Sequence, residues 1–486
     1  MIEFLKNNWF VIIISINYLL AISAVITILF RNLNPTKTLT YIIVLVFFPF
    51  LGLLVYYLFG QEYRKNKIFN RKNVLNQKII KSLNEDLEQN NKQLKELQDD
   101  FLEDKIRLAQ LLQKSDKAPL TRCNSVEIIK NGENKFKRLF EDIKKAKHHL
   151  HIEYYIVKDD DIGTQLLNLL CEKAKEGLEV RLSVDDVGAS ISRKMKHQLK
   201  SAGVEFYSFM PVLFPKFTGR MNYRNHRKIA IIDGAIGYVG GINVADDYVN
   251  KPGKKLYWRD THIRLEGEAV ITLQVQFLTN WQFVSDSKIE DLSKEYFPNK
   301  KCKDTVAVQI AASGPDTDWS NIMDVIFFAI TTADDYVYLT TPYFIPNDEI
   351  IMALQIASRS GIDVRLLIPD ESDSIIAKHA TNSYLQRLFN ANIKVYRYTK
   401  GFIHAKTMVV DNVFSTIGTS NLDYRSFNIN FEINAVIYDK DKSKELKSIF
   451  MEDLKDAIEM DPEEWKNRSK IQKLKEAYCK LWAPLL

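Results

Sequence analysis

Two long apolar runs open the chain. Trp9 to Phe30 and Leu39 to Gly60 each hold 22 residues without a charge. As helices each would measure about 33 Å, enough for a hydrocarbon core of roughly 30 Å. The short polar connector RNLNPTKT joins them, so the pattern predicts a two-helix transmembrane hairpin over residues 1–60. Pro49 and Gly52 predict a kink in the second helix. Trp9, Tyr41, Tyr56 and Tyr57 fall near the ends of the runs, where amphipathic rings sit at a membrane surface. Lys6, Arg64, Lys65, Lys67, Arg71 and Lys72 flank the outer ends, against Arg31 and Lys37 in the connector. That bias predicts a multi-pass cell-membrane protein with both ends, and the rest of the chain, in the cytoplasm.

The pattern then changes period. Residues 61–118 mix charges with apolar positions seven apart at Ile80, Leu87, Leu94, Phe101 and Leu108, with Leu83, Leu97 and Leu111 as companions. Such a seam predicts either a coiled coil that pairs protomers into a homodimer or an amphipathic helix lying on the body or the membrane. Pro119 ends it. Beyond that point helical and strand patterns alternate, and they repeat. EGLEVRLSVDD matches SGIDVRLLIPD, with Gly177 and Gly361, and Arg181 and Arg365, each 184 apart. The expectation is two copies of one α/β sandwich, residues 119–300 and 301–486, each a mixed sheet covered by helices.

Composition changes this picture little. A net charge of +6 suits an anionic partner or a plain soluble surface. The four cysteines are scattered with no Cys-x-x-Cys, which reads as reduced thiols without a metal site. No Gly-rich nucleotide motif appears, so no nucleotide cofactor is expected.

The candidate chemistry lies in a second repeat. His-x-Lys-x4-Asp occurs as His226, Lys228, Asp233 and again as His404, Lys406, Asp411. Each Lys-to-Asp interval is apolar, IAII or TMVV, and predicts a buried strand. Gly240 and Asn243 follow His226 by 14 and 17 residues, as Gly418 and Asn421 follow His404. Two imidazoles, two ammonium groups and two amides suit phosphate chemistry. With an ordinary pKa near 6.5, one neutral ring is expected to attack phosphorus while one charged ring protonates the leaving alkoxide. Lys228, Lys406, Asn243 and Asn421 would stabilise the transition state. The two lysines supply positive charge, so no metal is expected. Glu432 is the expected orienter of His404, 28 residues before it, and Asp260 that of His226. Asp233 and Asp411 complete the motif and are counted with it as the candidate catalytic set, although their place at strand ends points to holding loops through backbone hydrogen bonds. An apolar, basic segment precedes the first motif. It carries Phe214, Phe217, Arg220 and Arg224, a pattern suited to acyl chains and anionic headgroups.

The paired motifs resemble the phospholipase D superfamily. GRMNYRNHRK, YWRDTHIRLEG, GFIHAKTMVVD, GTSNLDYRSFNINFEIN and PFLGLLVYYLFG are similar to the blocks of its bacterial cardiolipin synthase type. That resemblance implies an α/β fold of two phospholipase D-like lobes. It also implies exchange between two phosphatidylglycerol molecules, giving cardiolipin and glycerol through a phosphohistidine, with His226 as the nucleophile and His404 as the acid. A hydrolytic phospholipase D or another phosphatidyltransferase would carry the same motifs. A membrane-tethered nuclease would need a basic groove with stacking aromatics. Here the aromatics near the motif cluster with aliphatics, so no nucleic-acid partner is expected.

Overall fold

The computed structural model describes residues 2–30, 35–59, 105–115, 118–210, 223–254, 256–286, 294–298, 304–317 and 319–483. Helix α1 spans Ile2–Leu29. The second apolar run is broken where the kink was expected. It forms α2, Pro35–Phe47, and α3, Pro49–Phe59. Pro49 lacks the N–H that would continue the ladder. Gly52 lies so close to α2 that a Cβ there would sit 2.7 Å from Leu45 Cα. Of the described helices only α1, over Asn8–Leu29, is long and apolar enough to cross a membrane. At 13 and 11 residues, α2 and α3 are each only about 16–20 Å long. The expected second membrane-length helix is therefore corrected to a segment broken into two short helices. Small residues line the packing within this unit, Ala21 and Ala24 against Leu45, as suits close helix approach in lipid.

The remaining chain builds two sheets with one plan. The first holds β1 (Asn124–Lys130), β2 (His149–Tyr154), β3 (Glu179–Asp185), β4 (Glu205–Phe209), β5 (Lys228–Ile232), β6 (Ile236–Gly240) and β8 (Thr261–Gly267). Its order is β1-β8-β6-β5-β2-β3-β4. The second holds β9 (Ala307–Ser313), β10 (Tyr336–Thr340), β12 (Asp363–Pro369), β13 (Lys394–Tyr398), β15 (Thr407–Val410), β16 (Phe414–Gly418), β18 (Glu432–Tyr438) and β19 (Ala457–Glu459). Its order is β9-β18-β16-β15-β10-β12-β13-β19. In each, three strands run parallel, β2-β3-β4 or β10-β12-β13, and the motif strand, β5 or β15, pairs antiparallel with the first of them, β2 or β10. The predicted repeat is thus a repeat of topology.

The sheets meet face to face. Ile229, Ile231, Val239 and Ile263 of the first pack with Val409, Ile417, Ile433 and Ala435 of the second, while Ala230 and Ile232 face helices on the opposite side. Both faces of β5 are therefore buried, which is why its sequence is a continuous apolar run. Two short strands, β7 (Tyr257–Arg259) and β14 (Gly401–Ile403), pair in parallel across the lobes.

Two expectations change here. The helix Ile106–Ser115 buries Ile106, Leu108, Ala109 and Leu112 in the second lobe's outer core. At Leu108 the heptad seam faces the body, not a partner chain; the seam's other described companion, Leu111, is half-buried. The earlier heptads lie outside the described residues. Cys171 and Cys479 are free, but Cys123 is disulfide-bonded, which corrects the reading of four reduced thiols. Spacing along a chain does not reveal which cysteines a fold brings together.

Candidate active site

Each motif runs from the cavity into the sheet. His226 and His404 immediately precede the motif strands, and Lys228 and Lys406 lie two residues on. Lys228 Nζ donates to His226 O at 2.6 Å and Lys406 Nζ to His404 O at 2.5 Å. The motif's Asp closes the far end of the strand. Asp233 and Asp411 both adopt φ of 52°. Asp233 accepts backbone N–H bonds from Lys147, His148 and His149 at 2.8–3.0 Å. Asp411 does the same for Asp334, Asp335 and Tyr336 at 2.9 Å, and pairs with Lys105 at 3.0 Å. They hold loops, as their position suggested. Their place in the catalytic set is corrected, since the strand puts them roughly 15 Å from the rings.

The two halves lock together at the histidines. His226 N–H bonds Phe431 O at 3.0 Å, and His404 N–H bonds Arg259 O at 2.7 Å. The next residue in each case is the ring's partner. His226 Nδ1 meets both Glu432 oxygens at 2.9 and 3.0 Å, and His404 Nδ1 meets Asp260 Oδ2 at 2.8 Å. The expected assignment of carboxylates is therefore corrected: each lobe's acid orients the other lobe's ring. Counting offsets within one half misses a pairing made across the lobe boundary. Both carboxylates are fully buried. Thr419 Oγ1 donates to Glu432 at 2.6 Å, and Thr261 N–H to Asp260 at 2.7 Å. An aromatic ring braces each imidazole, Tyr155 against His226 at 5.0 Å and Trp258 against His404 at 5.2 Å between centroids. The matched glycines admit this close packing. A Cβ on Gly240 would lie 2.6 Å from His262, and one on Gly418 2.0 Å from Asn434 Oδ1.

Both rings open onto one cavity of about 420 Å³, which Asn243, Asn421, Arg224 and Arg425 also line. With Nδ1–H donated to a carboxylate, Nε2 of each neutral ring keeps its lone pair. Burial holds both imidazoles down at about 4. For His226, Glu432 opposes this while Lys228 adds to it; for His404, Lys406 adds to it and Asp260 opposes. Burial also lowers Lys228 to about 7 and Lys406 to about 8, against the pull of Glu432 and Asp260. Burial thus favours the neutral form of both rings, where one neutral and one charged ring were expected. An arriving phosphodiester anion supplies the missing negative charge and raises both pKa values.

The structure brings together His226, Lys228, His404, Lys406, Asn243, Asn421, Glu432, Asp260 and Arg224. Arg224 also pairs with buried Asp185 at 3.2 Å. Phe214, Phe217 and Arg220 lie outside the described residues. Asn243 is partly committed, since its Oδ1 accepts from Ile156 N–H at 3.1 Å and its Nδ2 donates to Tyr248 at 2.7 Å. Sequence reasoning missed Tyr155, Tyr343, Asp373, Asp423 and Arg425. The last two stand two and four residues beyond Asn421, a signal that was available.

Comparison with known proteins agrees with this geometry. The family description "Cardiolipin synthase, PLD-like domain" matches residues 139–253 and 326–454, and "Phospholipase_D-nuclease N-terminal" matches 19–61. The cardiolipin synthase of Alkalihalophilus pseudofirmus is 40% identical over 99% of this chain and 95% of its own length. The major cardiolipin synthase of Bacillus subtilis is 40% identical over 98% and 99%. Among solved structures, the phosphatidylserine synthase of Haemophilus influenzae superposes with a TM-score of 0.61 at 14% identity, covering 78% of this chain and all of that one, a likeness of fold. The chain belongs to the cardiolipin synthase family of phospholipase D-like proteins.

Proposed function

We propose that this protein is a cardiolipin synthase, transferring a phosphatidyl group from one phosphatidylglycerol to the terminal hydroxyl of another. The observation that carries this is the convergence of both motif histidines on one cavity, each backed by the lysine two residues on, in a chain 40% identical to named cardiolipin synthases over nearly its full length. His226 Nε2 attacks phosphorus and a P–N bond forms. His404 takes up a proton at Nε2 from solvent as the phosphodiester anion binds; the P–O bond to glycerol then breaks, and His404 passes that proton to the departing oxygen. In the second half His404 takes the proton of the acceptor hydroxyl, that oxygen attacks phosphorus, and the P–N bond breaks. Lys228 and Lys406 balance charge on the equatorial oxygens. Arg224, with Arg425, attracts the anionic headgroup, and Arg220, Phe214 and Phe217 complete the lipid contact. One diester replaces another, so no nucleotide drives the reaction.

Membrane attachment fits this substrate. Helix α1 is long and apolar enough to anchor the chain. The broken α2–α3 segment completes the hairpin, and the basic flanks favour a cytoplasmic catalytic unit. Heptads upstream of Leu108 supply a surface for a homodimer. Purified protein given labelled phosphatidylglycerol alone should yield cardiolipin and glycerol in equal amounts. Phosphatidic acid as the main product would make it a hydrolase.

A further inference from the structure

The pseudo-two-fold symmetry of the cavity is broken on one wall. β3 and β12 hold the same place in their sheets and begin 184 residues apart, at Glu179 and Asp363. Carried past the strand, that offset sets Asp373 against Ala189; counted back from the helix caps Ser192 and Ser374, 182 apart, it sets Asp373 against Ile191, so the first half is apolar there on either count. The Asn243 and Asn421 blocks are 178 apart, so Asp423 stands where the first half has Ala245. Both aspartates line the catalytic cavity. Neither forms a salt bridge among the described residues.

The groups around them favour hydroxyl ligands. Tyr343, also in the lining, donates its hydroxyl to Asp373 at 2.6 Å and leaves an oxygen lone pair. Asp423 caps a short helix by accepting from Ser426 N–H at 2.6 Å. Asn421 is 6% exposed, and its Oδ1 has no hydrogen-bond partner, whereas Oδ1 of its counterpart Asn243 accepts a backbone N–H. A buried carbonyl oxygen without a donor is costly unless a ligand supplies one. Each half also brings one arginine to the lining: Arg224, where the second half has Phe402, and Arg425, where the first half has Asp247.

We propose that Asp373, Tyr343, Asn421 and Asp423 form a polyol subsite beside His404, accepting hydrogen bonds from the hydroxyls of a glycerol headgroup. This rests on the phosphatidyl transfer proposed above and adds the groups that select its alcohol. An alcohol bearing a second hydroxyl donates to these acceptors, Asn421 Oδ1 above all, whereas a simple alkanol leaves that buried oxygen without a donor.

The test is competition in one tube. The full chain in phosphatidylglycerol vesicles receives labelled glycerol, 1-propanol and ethanolamine at equal concentration, and the three phosphatidyl products are quantified. Wild type should favour glycerol over propanol by about tenfold, the worth of one hydrogen bond to a charged acceptor. D373N and D423N should each reduce that ratio at least about threefold. Asp373 is exposed, and Asn retains a helix-capping oxygen at 423, so both variants keep the fold. An unchanged ratio in both variants overturns the subsite, as does wild-type preference for ethanolamine, which would mean the carboxylates read an ammonium group. Wild type that makes only phosphatidic acid overturns the transfer reading itself.

Discussion

Replacing Glu432 by Gln keeps shape and removes one buried charge. Glu432 accepts from His226 at 2.9 and 3.0 Å, from Thr419 at 2.6 Å and from Asn430 at 3.3 Å. A hydrogen bond to a charged group contributes about 1.5–3 kcal/mol. At about 1.4 kcal/mol per decade, its loss from the transition state lowers the rate roughly 10- to 150-fold. A second effect adds to this. Glu432 is the largest influence holding up the Lys228 pKa, which burial has already brought down to about 7. Without that carboxylate, Lys228 loses its proton below neutrality and its charge no longer faces the phosphate. The combined expectation is a fall in kcat of at least about 10² at pH 7.5, partly recovered at lower pH as Lys228 regains its proton. Initial rates of cardiolipin formation in mixed micelles measure this. ¹⁵N spectra of the histidines report which ring loses its Nδ1 partner. Retention of kcat within threefold, or perturbation of His404 in place of His226, would refute the crosswise pairing.

Other outcomes follow from the same geometry. Asp411→Ala removes three backbone acceptor contacts and the Lys105 pair. It should destabilise the fold by about 2–4 kcal/mol, read as a lower unfolding midpoint, with KM of the folded fraction unchanged; a kcat defect at unaltered stability would contradict its loop-holding role. Burial lowers Lys228 to about 7 and Lys406 to about 8. Since kcat/KM reports the free enzyme, it should fall as pH rises through that range and these charges are lost. A rise up to pH 9 would exclude a role for their charged forms. Chelator should leave the rate within about twofold, because two ammonium groups supply the positive charge that a metal supplies elsewhere. Complete loss restored by a divalent ion would contradict this.

The sequence made some features legible and hid others for physical reasons. IAII and TMVV read as buried strands because both faces of β5 and β15 are covered. The repeat was visible because two sheets of one topology need matching Gly, Arg and Asn positions. Crosswise carboxylates were hidden, since Glu432 and Asp260 act on rings 206 and 144 residues away. The broken second apolar run was half legible: Pro49 and Gly52 signalled a bend, but hydropathy does not report how far a chain folds back. The imidazole pKa values were misjudged because burial is invisible in a motif. Asp373 and Asp423 carry meaning only when the halves are laid over each other and an apolar residue appears at both matching positions.

A covalent trap tests most directly whether the two lobes act on one phosphorus. With a phosphatidyl p-nitrophenyl ester, the leaving group needs no proton, so His404→Ala should release one p-nitrophenolate per protein and then stall. The peptide containing His226 should carry the phosphatidyl group. Absence of any burst, or an adduct elsewhere while turnover continues, would contradict a nucleophile and an acid drawn from opposite halves.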